Sequence, residues 1–298
     1  MKYTNKHDFP DFVVQWLEND DYDYDENTLS ATTLMQPSRM HALKNKYHDQ
    51  LEIDVSDVIA SRYGTAIHDS VEKVNLKNCV QEKRLRKGVM NKIITGKFDI
   101  LKEIDSTRHE LIDIKSTSVW SFIYGSNEEE HIKQLSIYRW LANNNSYTVI
   151  QRAKIWMIFT DWSKAKALQD PKYPQTRIVV KEIDLWAEEE TLKYIGLRIA
   201  LFNTVSQLDE KDMPLCTDEE LWAEADKWAL IKEGNKRALK VFETEAKAVD
   251  HQESLPGNLK YNVVHRPGGV KRCKYCLVRK FCSQYKQLVE SKRIEELK

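Results

Sequence analysis

Asp99, Asp113 and Lys115 are the residues whose types and spacing most directly suggest chemistry in this sequence. They fall in one stretch, GKFDILKEIDSTRHELIDIKS, from Gly96 to Ser116, which reads as a hairpin. TGKFDIL alternates and is rich in bulky residues, EIDSTRHE is polar and turn-forming, and LIDIKST is a second alternating strand. Asp113 and Lys115 are two residues apart, so both side chains leave one face of the sheet, while Ile114 points the other way, toward a core. Two carboxylates from paired strands suit a hard divalent cation such as Mg²⁺, which prefers oxygen ligands and retains waters. Such a cation acidifies a bound water and stabilises charge on a phosphodiester, and a neighbouring lysine can orient or deprotonate that water. An Asp-x-Lys alone is commonly a solvated strand face with a weak ion pair. The weight therefore falls on the elements around it.

Those elements can be taken in chain order. Phe12 to Leu17 forms a short amphipathic segment, and the acidic run ENDDYDYDEN follows; such runs are usually solvated. Ser30 is placed to cap a helix, SATTLMQPSRMHALKNKY, that Pro37 bends or restarts. Its basic residues Arg39, Lys44 and Lys46 read as an exposed face, with phosphate contact as the alternative. Ser56 is placed to open SDVIASRYGTAIHDSVEKVNLK, in which Gly64, His68 and Glu72 recur every four residues on one face. Gly64 admits another backbone closely, and His68 can offer an imidazole nitrogen to a metal. Glu72 can orient that imidazole. A helical histidine is otherwise more often a structural hydrogen-bonder. Glu82 lies in a strand-like or helical piece leading to Asp99, as a further carboxylate at the site or a surface charge.

After Lys115, Asn127 and the glutamates behind it mark a helix start. On that helix Gln134 and Tyr138 share a face, and Leu135, Ile137, Trp140 and Leu141 supply an apolar stripe. AKIWMIFTDW and TRIVVKEIDL read as strands, and WAEEETLKYIGLRIALFNTV as a helix. The alternation predicts an α/β fold with a central mixed sheet. From Leu208 the character changes. Cys216 sits in a loop before an acidic helix start, a small hairpin turns at Gly234, and a helix follows it. HRPGGVKRCKYCLVRKFCSQYK then carries Cys273, Cys276 and Cys282.

With 298 residues and equal numbers of acidic and basic side chains, bulk charge names neither nucleic acid nor membrane as a partner. No apolar run is long enough to span a bilayer, and a soluble, cytoplasmic protein is expected. Five cysteines, three of them in one short segment, argue for metal over disulfides in such a compartment.

In these pieces the chain resembles the RecB-like branch of the PD-(D/E)XK nuclease superfamily, which includes CRISPR-associated exonucleases. Gly64 with His68, Gly96 with Asp99, Asp113 with Lys115, and Gln134 with Tyr138 match that branch in order and on the expected element types. The match covers about 55–145, and the segment after Cys216 is similar to a C-terminal region of phage-borne members. The resemblance implies a restriction-endonuclease-like core and metal-dependent cleavage of DNA, most simply from single-stranded ends. It implies that His68, Asp99, Asp113 and the carbonyl of Ile114 bind Mg²⁺ or Mn²⁺. Lys115 would position the attacking water, and Gln134 and Tyr138 would order the lysine or the DNA end. It leaves room for a helicase or recombinase partner. The alternatives are an inactive DNA-binding or recombination scaffold and an endonuclease. The expected organisation is an N-terminal helical region 1–54, a nuclease core 55–207 and a cysteine-bearing region 208–298.

Iron–sulfur members of that branch close a [4Fe–4S] cluster with the same C-terminal trio and one cysteine upstream. At the upstream position this chain has Gln36. Cys216 is the candidate for the missing thiolate, with Cys273, Cys276 and Cys282, in a [4Fe–4S] cluster or a structural Zn²⁺; a metal-free trio is the bland reading. Cys79 reads as a small buried residue. The trio's segment is basic, with Lys271, Arg272, Lys274, Arg279, Lys280 and Lys286. It can track phosphates, and Tyr275 and Phe281 can stack bases or pack around the loop.

Overall fold

A computed structural model of the protein describes residues 2–19, 27–257 and 260–296. In order, the elements are β1 (Lys2–Thr4), α1 (Asp11–Glu18), β2 (Thr28–Ser30), α2 (Ala31–Leu34), α3 (Ser38–Lys46), β3 (Glu52–Asp54), α4 (Ile59–Glu72), β4 (Cys79–Val89), β5 (Lys92–Glu103), β6 (His109–Thr117), α5 (Val119–Ile123), α6 (Glu128–Asn143), β7 (Val149–Phe159), α7 (Lys164–Gln169), β8 (Ile178–Asp184) and α8 (Glu188–Val205). Then come β9 (Lys227–Lys232), β10 (Lys240–Phe242), α9 (Glu245–Glu253), β11 (Tyr261–Arg266) and α10 (Ser283–Glu290). The chain divides into two compact units, one of residues 1–36 and 52–204, the other of 37–51 and 205–298.

The first unit holds a six-stranded mixed sheet, ordered β2-β5-β6-β7-β8 with β4 against β5. β2–β5 and β6–β7 are parallel; β4–β5, β5–β6 and β7–β8 are antiparallel. The expected mixed α/β architecture is borne out. One sheet face buries Ile94, Phe98, Leu101 and Leu111 with Leu135, Tyr138 and Leu141 of α6. The other buries Ile100, Ile112 and Ile114 against Ile67 and Val71, which are four residues apart on α4. Each isoleucine removed from water in this way contributes about 1.5–3 kcal/mol. Strand β6 thus presents leucine or acid to one face and isoleucine to the other.

One irregularity in the sheet positions the site. β4 runs along one edge of β5. The other edge is shared: β2 pairs with Ile93–Thr95, and β6 pairs only with Ile100–Glu103. Between them, 96–99 has no ladder partner on that edge. β6 continues along β7 to Thr117 instead. The two strands therefore fork just where Asp99 and Asp113 stand.

Local signals in this unit are mostly as expected. Ser30 caps α2, accepting from the Thr33 N–H, and α1 takes up the amphipathic segment. Two expectations need correcting. Ser56 does not cap α4. Asp54 accepts from the Ser56 N–H and opens a 3-10 turn, Val55–Val58, that leads into the helix. An ionised carboxylate accepts more strongly than a hydroxyl, so it takes the cap. The helix stops at Glu72. Most of the acidic run, 20–26, lies outside the described residues.

The second unit has its own small core of Leu221, Val270, Cys273, Tyr285, Leu288 and Ile294. Beside it a three-stranded antiparallel sheet, β10-β9-β11, carries α9. The turn at Gly234 (φ 84°) makes the expected hairpin; β11 is a strand the sequence reading did not anticipate. The expected helix start after Cys216 is instead a series of turns, with Trp222 at φ 51°. Arg39 corrects another expectation. It is 1% exposed, not a solvated helix face. Its guanidinium donates to the carbonyls of Glu210 and Met213, to Ser283 Oγ, to the Glu210 carboxylate and, through Nε at 3.3 Å, to Cys282 Sγ. A buried guanidinium must have its donors satisfied, and these partners come from one loop and one helix start. No helix among the described residues is long and apolar enough to cross a membrane.

Candidate active site

The site gathers at the fork. Asp99 leaves β5 where the ladder is open, and its Oδ2 accepts the backbone N–H of Ile114 at 2.6 Å. The side chain thereby takes the place of the missing strand and satisfies a donor that β5 has left behind. Its Oδ1 lies 3.4 Å from His68 Nδ1. α4 brings His68 over the sheet, with Gly64, one turn earlier, beside Ser116 of β6; a Cβ there would sit at an ordinary contact distance of 3.6 Å from Ser116 Oγ.

Asp113 and Lys115 share one face of β6, as their spacing requires. Lys115 Nζ is 3.1 Å from Asp113 Oδ1 and 2.9 Å from Oδ2, but only the Oδ1 approach has hydrogen-bond geometry. Asp113 Oδ2 is thus buried with a charge beside it and no hydrogen bond. Behind Lys115, Gln134 donates to Tyr138 Oη at 2.9 Å. Tyr138 in turn packs on Gly96, where a Cβ would meet its ring and Leu141 at 2.8 Å. The glycine is needed for that close approach, and Tyr138 is held one strand away from Lys115.

Electrostatics bind the group together. Burial pushes Asp113 up to about 6; Lys115 opposes this and Asp99 adds to it. Burial, the largest single effect, would lower Lys115, but Asp113, Tyr138 and Asp99 together outweigh it and the ammonium is held above its usual range. Hydrogen bonds to Asp99 and then Glu82 raise His68 to about 10 against its burial. Burial raises Tyr138 to about 12, so its phenol stays protonated.

One role read from the sequence falls to a different residue. Glu72 is exposed and stands away from this role. The second carboxylate on His68 belongs to Glu82, whose Oε1 is 3.3 Å from Nδ1 and whose Oε2 is 2.7 Å from Lys97 Nζ. Glu82 is on the strand beside β5 and directly across from Asp99, a neighbour that only strand pairing reveals. His131, one turn before Gln134, was not singled out. Burial lowers it to about 4, with Lys115 and Lys181 adding to the effect, so it is a neutral imidazole facing the same lysine.

The residues fit a divalent cation. His68, Glu82 and Asp99 each offer a ligand atom within 4.8 Å of the others. Asp113 adds a buried oxygen lacking a donor. Hard cations take such oxygens, with a histidine nitrogen as a tolerated partner.

In the second unit Cys216, Cys273, Cys276 and Cys282 line one cavity together with Arg39 and Arg272. Burial pushes Cys216 up to about 12 and Cys273 up to about 11, and the neighbouring cysteines add to both shifts. Crowded thiols of this kind lose their protons when a metal binds. Cys79 is partly buried against Ile100 and Ile112 in the first unit, far in sequence from the others. Of the basic segment, Lys271 pairs with Glu224 at 2.8 Å, and Arg272 donates to the Glu220 carbonyl while lying over Trp222. Phe281 stacks on Tyr47 at 4.2 Å and is not presented for bases; Tyr275 is 75% exposed.

Comparison with known proteins follows the same lines. In sequence, the PD-(D/E)XK nuclease superfamily matches residues 81–283, which hold both acids and the lysine of the fork. No curated protein matches the chain. Among solved structures it is similar to SSO0001, with 21% identity and a TM-score of 0.44 over 64% of this chain and 85% of that one. An alkaline exonuclease, LHK-Exo, from Laribacter hongkongensis is 11% identical, with a TM-score of 0.33 over 61% and 90%. A phage related exonuclease from Haemophilus somnus 129PT is 16% identical, with a TM-score of 0.27 over 63% and 76%. Because the matched residues span more than half of the sequence and include the forked strands with their Asp, Asp and Lys, this chain belongs to the PD-(D/E)XK nuclease superfamily.

Proposed function

We propose that the protein is a divalent-cation-dependent deoxyribonuclease that degrades DNA from single-stranded ends. The observation that carries the reading is the convergence of His68, Asp99, Asp113 and Lys115 at one strand fork, with a buried Asp113 oxygen lacking a donor. Asp99, Asp113, His68 and the Ile114 carbonyl would hold Mg²⁺ or Mn²⁺, which when bound would supply an acidified water and neutralise charge on the phosphodiester. Lys115, held protonated by Asp113, donates to and orients the nucleophile. Tyr138 and Gln134 fix the lysine's position from behind. Single-strand preference and end-directed action come from the likeness to the RecB-like branch. A role in recombination, repair or phage DNA metabolism comes from the same source.

The four cysteines are read as a structural metal site in the second unit, where it would tie helix α3 to the C-terminal loops through Arg39 and Cys282. The spacing of the trio, shared with iron–sulfur members of the RecB-like branch, favours a [4Fe–4S] cluster, with a tetrahedral Zn²⁺ as the alternative.

The test is digestion of end-labelled linear and closed circular single strands with Mg²⁺ or Mn²⁺, using wild type, Lys115→Ala and Asp113→Ala. The expected result is degradation of linear strands by wild type alone, with both variants folded by circular dichroism. Cleavage of circles would make it an endonuclease. Binding without cleavage in either metal would make it a scaffold.

A further inference from the structure

We propose that Glu82 is a cation ligand of this site, sharing a position with His68 and Asp99, and that Lys97 is the counter-ion that occupies Glu82 until a divalent cation displaces it. The inference rests on the nuclease reading and adds to it a ligand from a strand outside the Asp, Asp and Lys pattern.

The geometry starts with the β4–β5 ladder. Its register runs Gln81↔Ile100 and Lys83↔Phe98, and the Glu82–Asp99 pair between them is missing. Glu82 sits there at φ 48°, a left-handed backbone that a glutamate rarely adopts. Turning out of the strand at this point carries its carboxylate toward Asp99 and His68. His68 Nδ1 is 3.3 Å from Glu82 and 3.4 Å from Asp99. Adjacent ligands around a Mg²⁺-sized ion at ~2.1 Å lie roughly 3 Å apart. The three groups therefore stand close to ligand spacing already, on three different elements.

Charge supports the same reading. Glu82, Asp99 and Asp113 have side chains no more than 9% exposed. Facing them are His68, Lys97 and Lys115, each at ion-pair distance from one of the carboxylates. A divalent cation entering among the carboxylates adds two positive charges to a cluster that already holds two ammonium groups, so one lysine must give way. Lys115 is 26% exposed and bound to Asp113, whereas Lys97 is 45% exposed with a flexible stem. Lys97 is the ammonium free to swing out, and its charge is then available to a DNA phosphate at the mouth of the site. Asp113 Oδ2 is buried and accepts no hydrogen bond, although Lys115 Nζ lies 2.9 Å away, so it keeps lone pairs to offer a second cation.

The experiment is titration of chelator-stripped full-length protein with Mn²⁺, reading free Mn²⁺ by electron paramagnetic resonance. Wild type, Glu82→Gln, Lys97→Met and Asp113→Asn are compared, each with a melting curve. The expected result is at least about tenfold weaker Mn²⁺ binding for Glu82→Gln and several-fold tighter binding for Lys97→Met, since its competitor is gone. If Glu82 and Lys97 are only a structural ion pair, Lys97→Met leaves affinity unchanged or lowers it, and the inference is overturned. The Lys97→Met arm decides the matter even where Glu82→Gln fails to fold. Loss of binding in Asp113→Asn with none in Glu82→Gln overturns the Glu82 assignment but leaves the nuclease site standing. No Mn²⁺ binding by wild type overturns both.

Discussion

The Asp99 carboxylate and the Ile114 backbone are joined across the open fork of β5 and β6 by a hydrogen bond of 2.6 Å. One oxygen completes the sheet and the other faces His68. A carboxylate that doubles as a missing ladder partner cannot swing away. The position of the acid is thus fixed by the same irregularity that opens the site.

This dual use separates two substitutions. Asp99→Asn keeps an oxygen for the Ile114 N–H but loses the charge. It should cost about 1 kcal/mol of stability or less, while DNA degradation falls by at least ~10²-fold. Asp99→Ala orphans a buried N–H and should cost a further ~1–3 kcal/mol. Urea denaturation and end-labelled digestion on the same preparations read both effects. Equal stability for the two variants would show that the Ile114 bond carries nothing.

Cation binding should depend on pH in two segments. His68 is held at about 10 by its hydrogen bonds to Asp99 and Glu82, well above an unfolded histidine. The imidazolium's contribution to stability is therefore full below about pH 6.5 and is lost as pH climbs toward 10. A cation must displace this proton, so affinity should rise by up to about tenfold per pH unit between about pH 6 and 10. Below about pH 6 Asp113 also holds its proton, because burial raises it, and the slope should steepen toward two protons. Lys115, held above its usual range, stays charged throughout and does not change the slope. Isothermal titration in buffers of different ionisation heat counts the protons released by Mn²⁺. His68→Gln should flatten the upper segment; a flat profile in wild type would remove the imidazole from the cation site.

Much of this site was legible because period-two and period-four spacings are backbone geometry. Asp113 with Lys115, Gln134 with Tyr138, and Gly64 with His68 needed only the strand and helix repeats to be placed on common faces. What the spacing could not show was which strands lie side by side. Glu82 meets Asp99 through the pairing of β4 with β5, and Glu72, in perfect helical phase with His68, faces solvent instead. Arg39 failed for a related reason. A charged residue after a proline reads as surface, and only long-range partners at Glu210, Ser283 and Cys282 account for its burial. Asp54 displaced Ser56 as a cap because the two compete within one turn, where charge decides.

The contact of Gly96 with Tyr138 gives a prediction that reaches the site without touching a charged group. A methyl group at 96 would press on the Tyr138 ring and on Leu141 at 2.8 Å. Gly96→Ala should destabilise the protein by about 1–3 kcal/mol through overpacking. It should also lower the rate of digestion by displacing Tyr138 and Gln134 from behind Lys115. Denaturant midpoints and single-turnover rates would show this. An unchanged midpoint would mean that α6 yields without strain.

The cysteines allow a comparison inside one protein. Cys216, Cys273, Cys276 and Cys282 share a cavity, whereas Cys79 packs on the apolar face of another unit. Cys216→Ser should therefore abolish tight metal binding, and Cys79→Ser should leave it intact. In anaerobically purified protein a bound cluster gives visible absorbance with iron and sulfide in equal amounts, and zinc gives none. Arg39→Met removes the donor to Cys282 while leaving all four sulfurs. It should keep the metal at purification but speed its loss to a chelator, and lower the melting temperature, because Glu210 and Ser283 lose their buried partner. Equal metal content in Cys216→Ser and wild type would exclude Cys216 as a ligand, leaving the three C-terminal cysteines to bind without it.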